Sequence, residues 1–295
     1  MFQKSRAILI SLAVTSSLAA ATDIASPAGR LSASEVVDKN VAARGGLQAW
    51  RAVQTMSLAG KMGAGGNQRE TLAVQPPDGK TRNAVSSRPA EEVQLPFLME
   101  LKRPRKTRFE LQFGGQTAVQ VFDGRQGWKF KPFLNRREVE PYTADELKIT
   151  STQADLDGPL VDYAAKGTRV ELAGEEKVEG RDSYKLKLTM NTGTKMHVWI
   201  DAATFLETKI EGQPRRMDGV DHPVEVYFRD YRRVDGLQIP FVLETRVLSV
   251  GKTALGLKDP QVPPEKVVIE KVVVNPKLDE SLFSRTGMEV ASSTR

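Results

Sequence analysis

The sequence predicts a mainly β (α+β) fold built on one large, curved antiparallel sheet or open barrel. Apolar and polar residues alternate in roughly ten short segments, a pattern typical of strands with one buried and one wetter face. The dipeptide Asp-Gly, which favours hairpin turns because Gly accepts positive φ, occurs five times. Regularly spaced strands joined by such turns are typical of large sheets and open barrels.

The alternation is clearest in six segments and in the run EKVVIEKVVV near the C-terminus. The apolar positions of the six segments are Met56, Leu58 and Met62; Phe109, Leu111 and Phe113; Tyr184, Leu186, Leu188 and Met190; Met196, Val198 and Ile200; Val224, Val226 and Phe228; and Phe241, Leu243, Thr245 and Val247. The Asp-Gly pairs begin at residues 78, 123, 157, 218 and 235. The Gly-rich stretch 60–67 lacks the ending of a phosphate loop and predicts a flexible hairpin turn.

Four segments have helical rather than strand character. Apolar residues at helical spacing predict a helix over 33–44, which Gly45-Gly46 ends, and a short one follows over 47–53. Thr143 caps a predicted helix over 142–153. A further helix is predicted over 155–167, with Pro159 in its first turn and Leu156, Leu160 and Tyr163 on one face. These last two helices are candidates to cover one face of the sheet.

The N-terminus has the features of a secretory signal peptide. Lys4 and Arg6 precede an apolar run over residues 7–18, and the small residues Ala19 to Ala21 form a cleavage site. We therefore expect a signal peptide over 1–21 and a single mature domain over 22–295. The chain has no cysteine, so the mature protein cannot carry a lipid on an N-terminal cysteine. We expect a soluble periplasmic protein after cleavage.

Residues suited to catalysis are scarce. The two histidines, His197 and His222, have no partners at the spacing of a metal site or a Ser/His/Asp relay. The paired carboxylates lie in polar, turn-like contexts, where solvated surface explains them better than an acid/base pair. We therefore expect no enzymatic activity, no metal and no cofactor.

One dense basic run, LKRPRKTRFE, leaves two interpretations open. It could form a patch for an acidic partner or for anionic lipid head groups, or it could be a solvated hairpin loop. A nucleic-acid footprint is disfavoured because no exposed aromatics are interleaved with the cations, so we expect no nucleic-acid partner. The residues of this candidate patch are Lys102, Arg103, Arg105, Lys106 and Arg108.

The segment LKRPRKTRFELQFGGQTAVQVFDGRQGWKFKP resembles the LolA/LolB-like superfamily of periplasmic lipoprotein carriers. The matching positions are Arg103-Pro104, Arg108, Asp123-Gly124 and Trp128. The start, VAARGGLQAWRAVQTMSLAGKM, is similar to the family's helix and first strand. The pieces LDGPLVDY, IDAATFLETKI and DYRRVDGLQIPF resemble longer relatives known as outer-membrane lipoprotein-sorting proteins. The resemblance extends over about residues 36 to 285.

The resemblance implies an incomplete antiparallel barrel whose helices close the concave face over a hydrophobic cavity. It implies a carrier or chaperone that binds acyl chains of lipoproteins or lipids and transfers them across the envelope, without covalent chemistry. The chain is longer than the dedicated lipoprotein carrier and lacks the lipid-attachment cysteine of the receptor branch, so a free lipid or glycolipid is an equally good cargo. An envelope regulatory or protein-binding module on the same fold is the alternative.

Strand alternation then selects the residues expected to line the cavity. They are Met56, Leu58, Phe109, Leu111, Leu186, Leu188, Val198, Ile200, Val226 and Phe228. The expected lid comprises Leu156, Leu160 and Tyr163. A register error of one residue would turn every assigned side chain to the other face. The expected partners are an acyl-chain ligand and an inner- or outer-membrane envelope protein, and the protein is expected to be a monomer.

Overall fold

A computed structural model describes residues 31–64, 93–132, 136–217, 219–251 and 262–288. Within these ranges three α-helices of six or more residues, a short helical stretch over 285–288 and fifteen strands are present. The three longer helices carry labels. They are α1 (Ala33–Ala43), α2 (Leu47–Ala52) and α3 (Ala144–Gln153). The strands are β1 (Thr55–Ala64), β2 (Val93–Lys102), β3 (Lys106–Phe113), β4 (Gln116–Phe122), β5 (Gly127–Lys131), β6 (Arg136–Pro141), β7 (Arg169–Val178), β8 (Arg181–Thr189), β9 (Lys195–Asp201), β10 (Glu207–Glu211), β11 (Arg215–Met217), β12 (Val220–His222), β13 (Val224–Val234), β14 (Leu237–Val247) and β15 (Glu265–Val274).

Thirteen of the described strands form one antiparallel sheet in the order β6-β5-β4-β3-β2-β1-β15-β14-β13-β10-β9-β8-β7. β11 and β12 form a separate two-stranded sheet. The C-terminal strand β15 lies between β1 and β14 and so joins the early and late strands. β6 and β7 are the two edges, so the sheet does not close. This confirms the predicted incomplete barrel.

Two of the Asp-Gly pairs form the hairpin turns that the sequence predicts. Asp235 and Gly236 connect β13 to β14 with φ values of 48° and 85°, as a two-residue hairpin turn with two positive φ angles requires. Between β4 and β5, the Asp123 carboxylate accepts hydrogen bonds from the backbone N–H groups of Arg125 and Gln126. Residues 78, 79 and 218 lie outside the described ranges.

The predicted helices have mixed outcomes. α1, α2 and α3 confirm three of them, and Thr143 and Glu146 form a complete capping box at the start of α3. The predicted helix over 155–167 is wrong, because this segment is a succession of turns. Positive φ values at Gly158 (76°), Asp162 (52°) and Gly167 (72°) interrupt the backbone geometry that a right-handed helix needs.

The Gly-rich stretch also differs from its prediction. Residues 60–64 continue β1 rather than turning, and residues 65–67 lie outside the described ranges. β1 has a register shift against β15 between Ala59 and Gly60. A Cβ on Gly60 would lie 2.0 Å from the Val268 carbonyl oxygen. Glycine is therefore required at this bulge because two backbones approach closely.

Two chain segments cover the convex face of the sheet. The C-terminal residues around a 3-10 helix (Glu280–Phe283) pack on β4 and β5, where Phe283 and Met288 are buried against Val119 and Val121. At the opposite end of the strand order, the β7–β8 hairpin folds back over the same convex face. Its residue Val178 packs against Trp199 and Tyr227 in a second small core.

Candidate functional site

A row of apolar side chains crosses the concave face. Cross-strand pairing places five residues of β2, β1, β15, β14 and β13 directly side by side on this face. They are, in order, Leu95, Met62, Val267, Leu243 and Phe228. With about 4.8 Å between strands, the row is about 19 Å long. A second row runs beside it and contains Phe109, Met99, Leu58 and Val272.

Most of these side chains are only half-buried, although they are apolar. In the first row Leu95 is buried, and the other four side chains are half-buried. These four are Met62, Val267, Leu243 and Phe228. Soluble proteins rarely expose contiguous apolar surface without a binding role. The two rows therefore form a contiguous, largely half-buried apolar surface on the concave face, which we call the concave groove.

The structure places all ten predicted cavity residues on the concave face, but with two degrees of burial. Half-buried residues are Leu58, Phe109, Leu111, Val226 and Phe228. Five others are at most 3% exposed: Met56, Leu186, Leu188, Val198 and Ile200. Full burial means that the second set packs against protein atoms. Only the first set remains available to a bound molecule, and contact with a ligand stays a prediction.

Helix α3 lies against the concave face and is held mainly at its first turn. Glu146 accepts two hydrogen bonds of 2.7 Å from Lys129 on β5. α3 has no buried residue, so little apolar packing fixes it to the sheet. Open space remains at its C-terminal end, in a pocket of about 190 Å³ and another of about 260 Å³.

Two of the predicted lid residues, Leu160 and Tyr163, lie beside α1. Leu160 is fully buried, while Leu156 and Tyr163 are half-buried. Leu160 and Tyr163 line a pocket of about 390 Å³ that the 160–165 segment forms with α1 and the start of α2. The segment therefore closes against α1, and its action as a lid stays a prediction.

A buried carboxylate anchors this segment to the rest of the protein. The side chain of Asp157 is 2% exposed and binds Arg103, at 2.7 Å, and Lys166. The backbone carbonyl of Asp157 accepts a hydrogen bond of 3.0 Å from Arg44. The 155–167 segment is thus tied at one residue to the β2–β3 turn and to the end of α1.

Every cation of the basic run has a partner within the protein, and one of the cations is buried. The Arg108 side chain is 3% exposed and binds Glu110 and the Leu282 carbonyl, so its predicted place in a surface patch is wrong. Arg103 donates to Asp157 and to the carbonyls of Val53 and Trp50. The other three cations also have acidic partners: Lys102 and Lys106 pair with Glu280, and Arg105 pairs with Asp155.

The two histidines lie in different environments. His197 pairs with Glu211 at 2.8 Å on the convex face, and His222 is 1% exposed. Among the described residues no group of three or more His, Cys, Asp or Glu side chains could hold a metal ion. None of the helices in the described ranges is long and apolar enough to cross a membrane.

Comparison with solved structures identifies the architecture. A LolA superfamily protein from Nitrosomonas europaea superposes with a TM-score of 0.54 at 11% identity, over 88% of this chain and all of that one. This chain shares the fold of that protein. A second structure, a putative outer membrane lipoprotein-sorting protein domain from Vibrio parahaemolyticus, has a TM-score of 0.50 at 13% identity. It covers 86% of this chain and 97% of its own.

No protein-family model and no curated protein matches the sequence. The structural likeness therefore confirms the resemblance at the level of the LolA-like fold. The feature that sequence reasoning missed is the C-terminal cover of the convex face around Phe283. The spacing of Leu278 and Leu282 is the signal that could have predicted it, since a step of four places two apolar residues on one side of a helical turn.

Proposed function

We propose that the protein is a periplasmic carrier that binds acyl chains in its concave groove and transfers them across the envelope. The observation that supports this most is the row of apolar side chains across five strands, four of them half-buried, with Met62, Val267 and Leu243 at its centre. The proposal needs a preformed apolar site, because a carrier must offer a lipid chain an environment comparable with the membrane it leaves.

The dimensions of the groove fit a single lipid chain. Its length of about 19 Å follows from the strand spacing, and the hydrocarbon of one membrane leaflet is about 15 Å deep. Burial contributes on the order of 0.8 kcal/mol per CH₂ group. A chain that lay along the whole row would therefore gain enough to compensate for its loss of freedom on binding.

The cargo on this proposal is a lipoprotein, a free lipid or a glycolipid, since the groove residues recognise only the acyl chain. We propose a monomeric carrier that meets its donor and acceptor at the inner and outer membranes. Cleavage after Ala21, which makes the mature chain begin at Thr22, would deliver it to the periplasm. The alternative of a protein-binding module depends on the basic run, and the internal partners of that run weaken it.

A direct test starts from protein made with its own signal and purified from the periplasm without detergent. Native mass spectrometry should find a mature chain that begins at Thr22 and carries one acyl-bearing molecule. Mass spectrometry of an organic extract then identifies that molecule. A mass without ligand, together with no uptake of added lipid or of an apolar fluorophore, would contradict the proposal. A membrane-retained precursor would contradict the cleavage.

Two neighbouring residues of β15 provide a matched pair of variants. Val267 faces the concave groove, whereas Val268 is 37% exposed on the convex face. Val267→Glu should abolish lipid binding because it places a charge in the apolar row, and Val268→Glu should leave binding unchanged. Leu188 is unsuitable for this purpose, because a charge at a residue with no exposed surface would disrupt the fold itself. Equal lipid binding by both folded variants would show that β15 does not line the binding site.

A further inference from the structure

One side chain borders both pockets at the end of α3. The first pocket is lined by residues of β2 to β4, including Met99 and Phe109, and by Thr150 and Gln153 of α3. The second is lined by the ends of β9, β10 and β13, including Met196, and by Thr152 and Gln153 of α3. Gln153 is the residue that the two lining sets share.

Neither pocket is large enough by itself for a long ligand. Their volumes are about 190 Å³ and 260 Å³. Ligand pockets usually measure about 300 to 1,000 Å³, a range that the two together reach and that neither reaches alone. Apolar side chains of the concave face border both pockets: Met99 and Phe109 border the first, and Met196 and Val224 border the second.

Gln153 is placed so that its side chain can move without disturbing the fold. It is the last residue of α3, and its side chain is exposed. Its amide makes no hydrogen bond to any residue that the structure describes. The next residue, Ala154, is 2% exposed and fixes the backbone at this point. The backbone is therefore held while the side chain can change rotamer.

We propose that Gln153 divides one ligand groove into two compartments and thereby sets the length of acyl chain that the protein accepts. This inference rests on the proposed carrier function. With Gln153 between the pockets, a chain occupies one compartment, and its end meets the amide. When the side chain turns away, the chain continues beneath the end of α3 into the second compartment.

The test measures chain-length preference. Wild-type protein and two variants, Gln153→Ala and Gln153→Trp, are loaded with an apolar fluorophore and titrated with a series of saturated fatty acids from decanoic to octadecanoic acid. Gln153→Ala should shift the preference to longer chains, and each additional buried methylene should raise affinity about fourfold. Gln153→Trp should reduce the affinity for the longest acids and preserve that for the shortest.

Lys148→Ala is the matched control, because Lys148 is exposed on the same helix and lines neither pocket. It should keep the wild-type preference. An unfolding temperature equal to that of the wild type shows that the fold of each variant is intact. An unchanged length preference in both Gln153 variants would overturn the role of Gln153 while leaving the carrier function standing. Absence of fatty-acid and fluorophore binding by the wild type would instead contradict the carrier function, and with it this role.

Discussion

The guanidinium of Arg44 lies 3.2 Å from the carboxylate of Glu207, and both side chains are only 10% exposed. Arg44 also stacks on the ring of Trp50, with its central carbon 4.4 Å from the ring centroid. The Tyr231 hydroxyl donates to the same carboxylate at 3.1 Å. Burial, followed by the nearby Glu207 charge, raises the pKa of Tyr231 well above its usual value. This cluster joins the end of α1 to β10 and β13.

Removal of Arg44 should strongly destabilise the protein. Arg44→Leu leaves the Glu207 carboxylate buried without its cation, and the expected loss of unfolding free energy is about 3 to 5 kcal/mol. Urea unfolding followed by circular dichroism measures it. The double variant Arg44→Leu/Glu207→Gln should recover part of the loss, because it also removes the unpaired charge. A loss in the double variant equal to that of Arg44→Leu alone would show that the ion pair is not responsible.

Asp157→Asn should loosen the 155–167 segment. The carboxamide cannot replace the charge that binds Arg103 and Lys166, and we expect a loss of about 3 kcal/mol, less than for a fully buried pair because both cations are partly exposed. Amide hydrogen exchange should rise within residues 155–167 before it rises in the sheet. Asp155→Asn is the matched control, because its carboxylate is more exposed. Uniform faster exchange throughout the protein would contradict a local anchor.

Glu179 should make stability depend on pH in the acid range. The hydrogen bond from Arg229, with another from Arg246, lowers the pKa of Glu179 from 4.5 to about 2 in the folded protein. Its stabilising contribution is therefore complete above about pH 4.5 and is lost as the pH falls towards 2, where the folded protein also takes up the proton. In urea unfolding, wild type should have a higher unfolding free energy than Glu179→Gln above pH 4.5, and this difference should decrease as the pH falls towards 2.

The control for this prediction is Glu270→Gln on the same convex face, where the side chain is 53% exposed and pairs with Lys61. The difference between wild type and Glu270→Gln should be small at every pH, as is usual for exposed ion pairs. A wild-type advantage over Glu179→Gln that stays constant from neutral pH to pH 2 would show that the Glu179 charge does not hold the β7–β8 hairpin.

Gly60→Ala should destabilise the protein by about 1 to 3 kcal/mol, the usual penalty for overpacking. The added Cβ would clash with the backbone carbonyl of Val268, which cannot move away as a flexible side chain would. Thermal unfolding measures the effect. Ser57→Ala, on the same strand and half-buried, should change the unfolding temperature little. A Gly60→Ala protein as stable as wild type would mean that the bulge can shift its register.

Strand periodicity predicted the faces of the sheet well because alternation is a local property. Leu186 and Leu188 lie on the same face as Leu58 and Phe109, as their spacing implies. The degree of burial was not predictable in this way. Whether a concave residue faces open space or the core depends on α1, α3 and the 155–167 segment, which are brought there by contacts distant in sequence.

The basic run shows the same limit for charge. Arg103 and Arg108 are close in sequence to other cations, so a local interpretation predicts a positive patch. Their partners are Asp157 and the Leu282 carbonyl, 54 and 174 residues away. The turns over 155–167 also escaped prediction, since Asp162, one of the three residues whose positive φ interrupts the helix, is not a glycine.

The two free edges of the sheet have a mechanical consequence. In a closed barrel, strand number and shear fix the radius, so the interior cannot widen without breaking hydrogen bonds. Here β6 and β7 are not paired with each other. Small changes of twist at each of the twelve strand pairs can therefore alter the width of the sheet while every pair keeps its hydrogen bonds. An open sheet can therefore change its width more easily than a closed barrel can, and on the proposed carrier function one scaffold would fit acyl chains of unequal thickness.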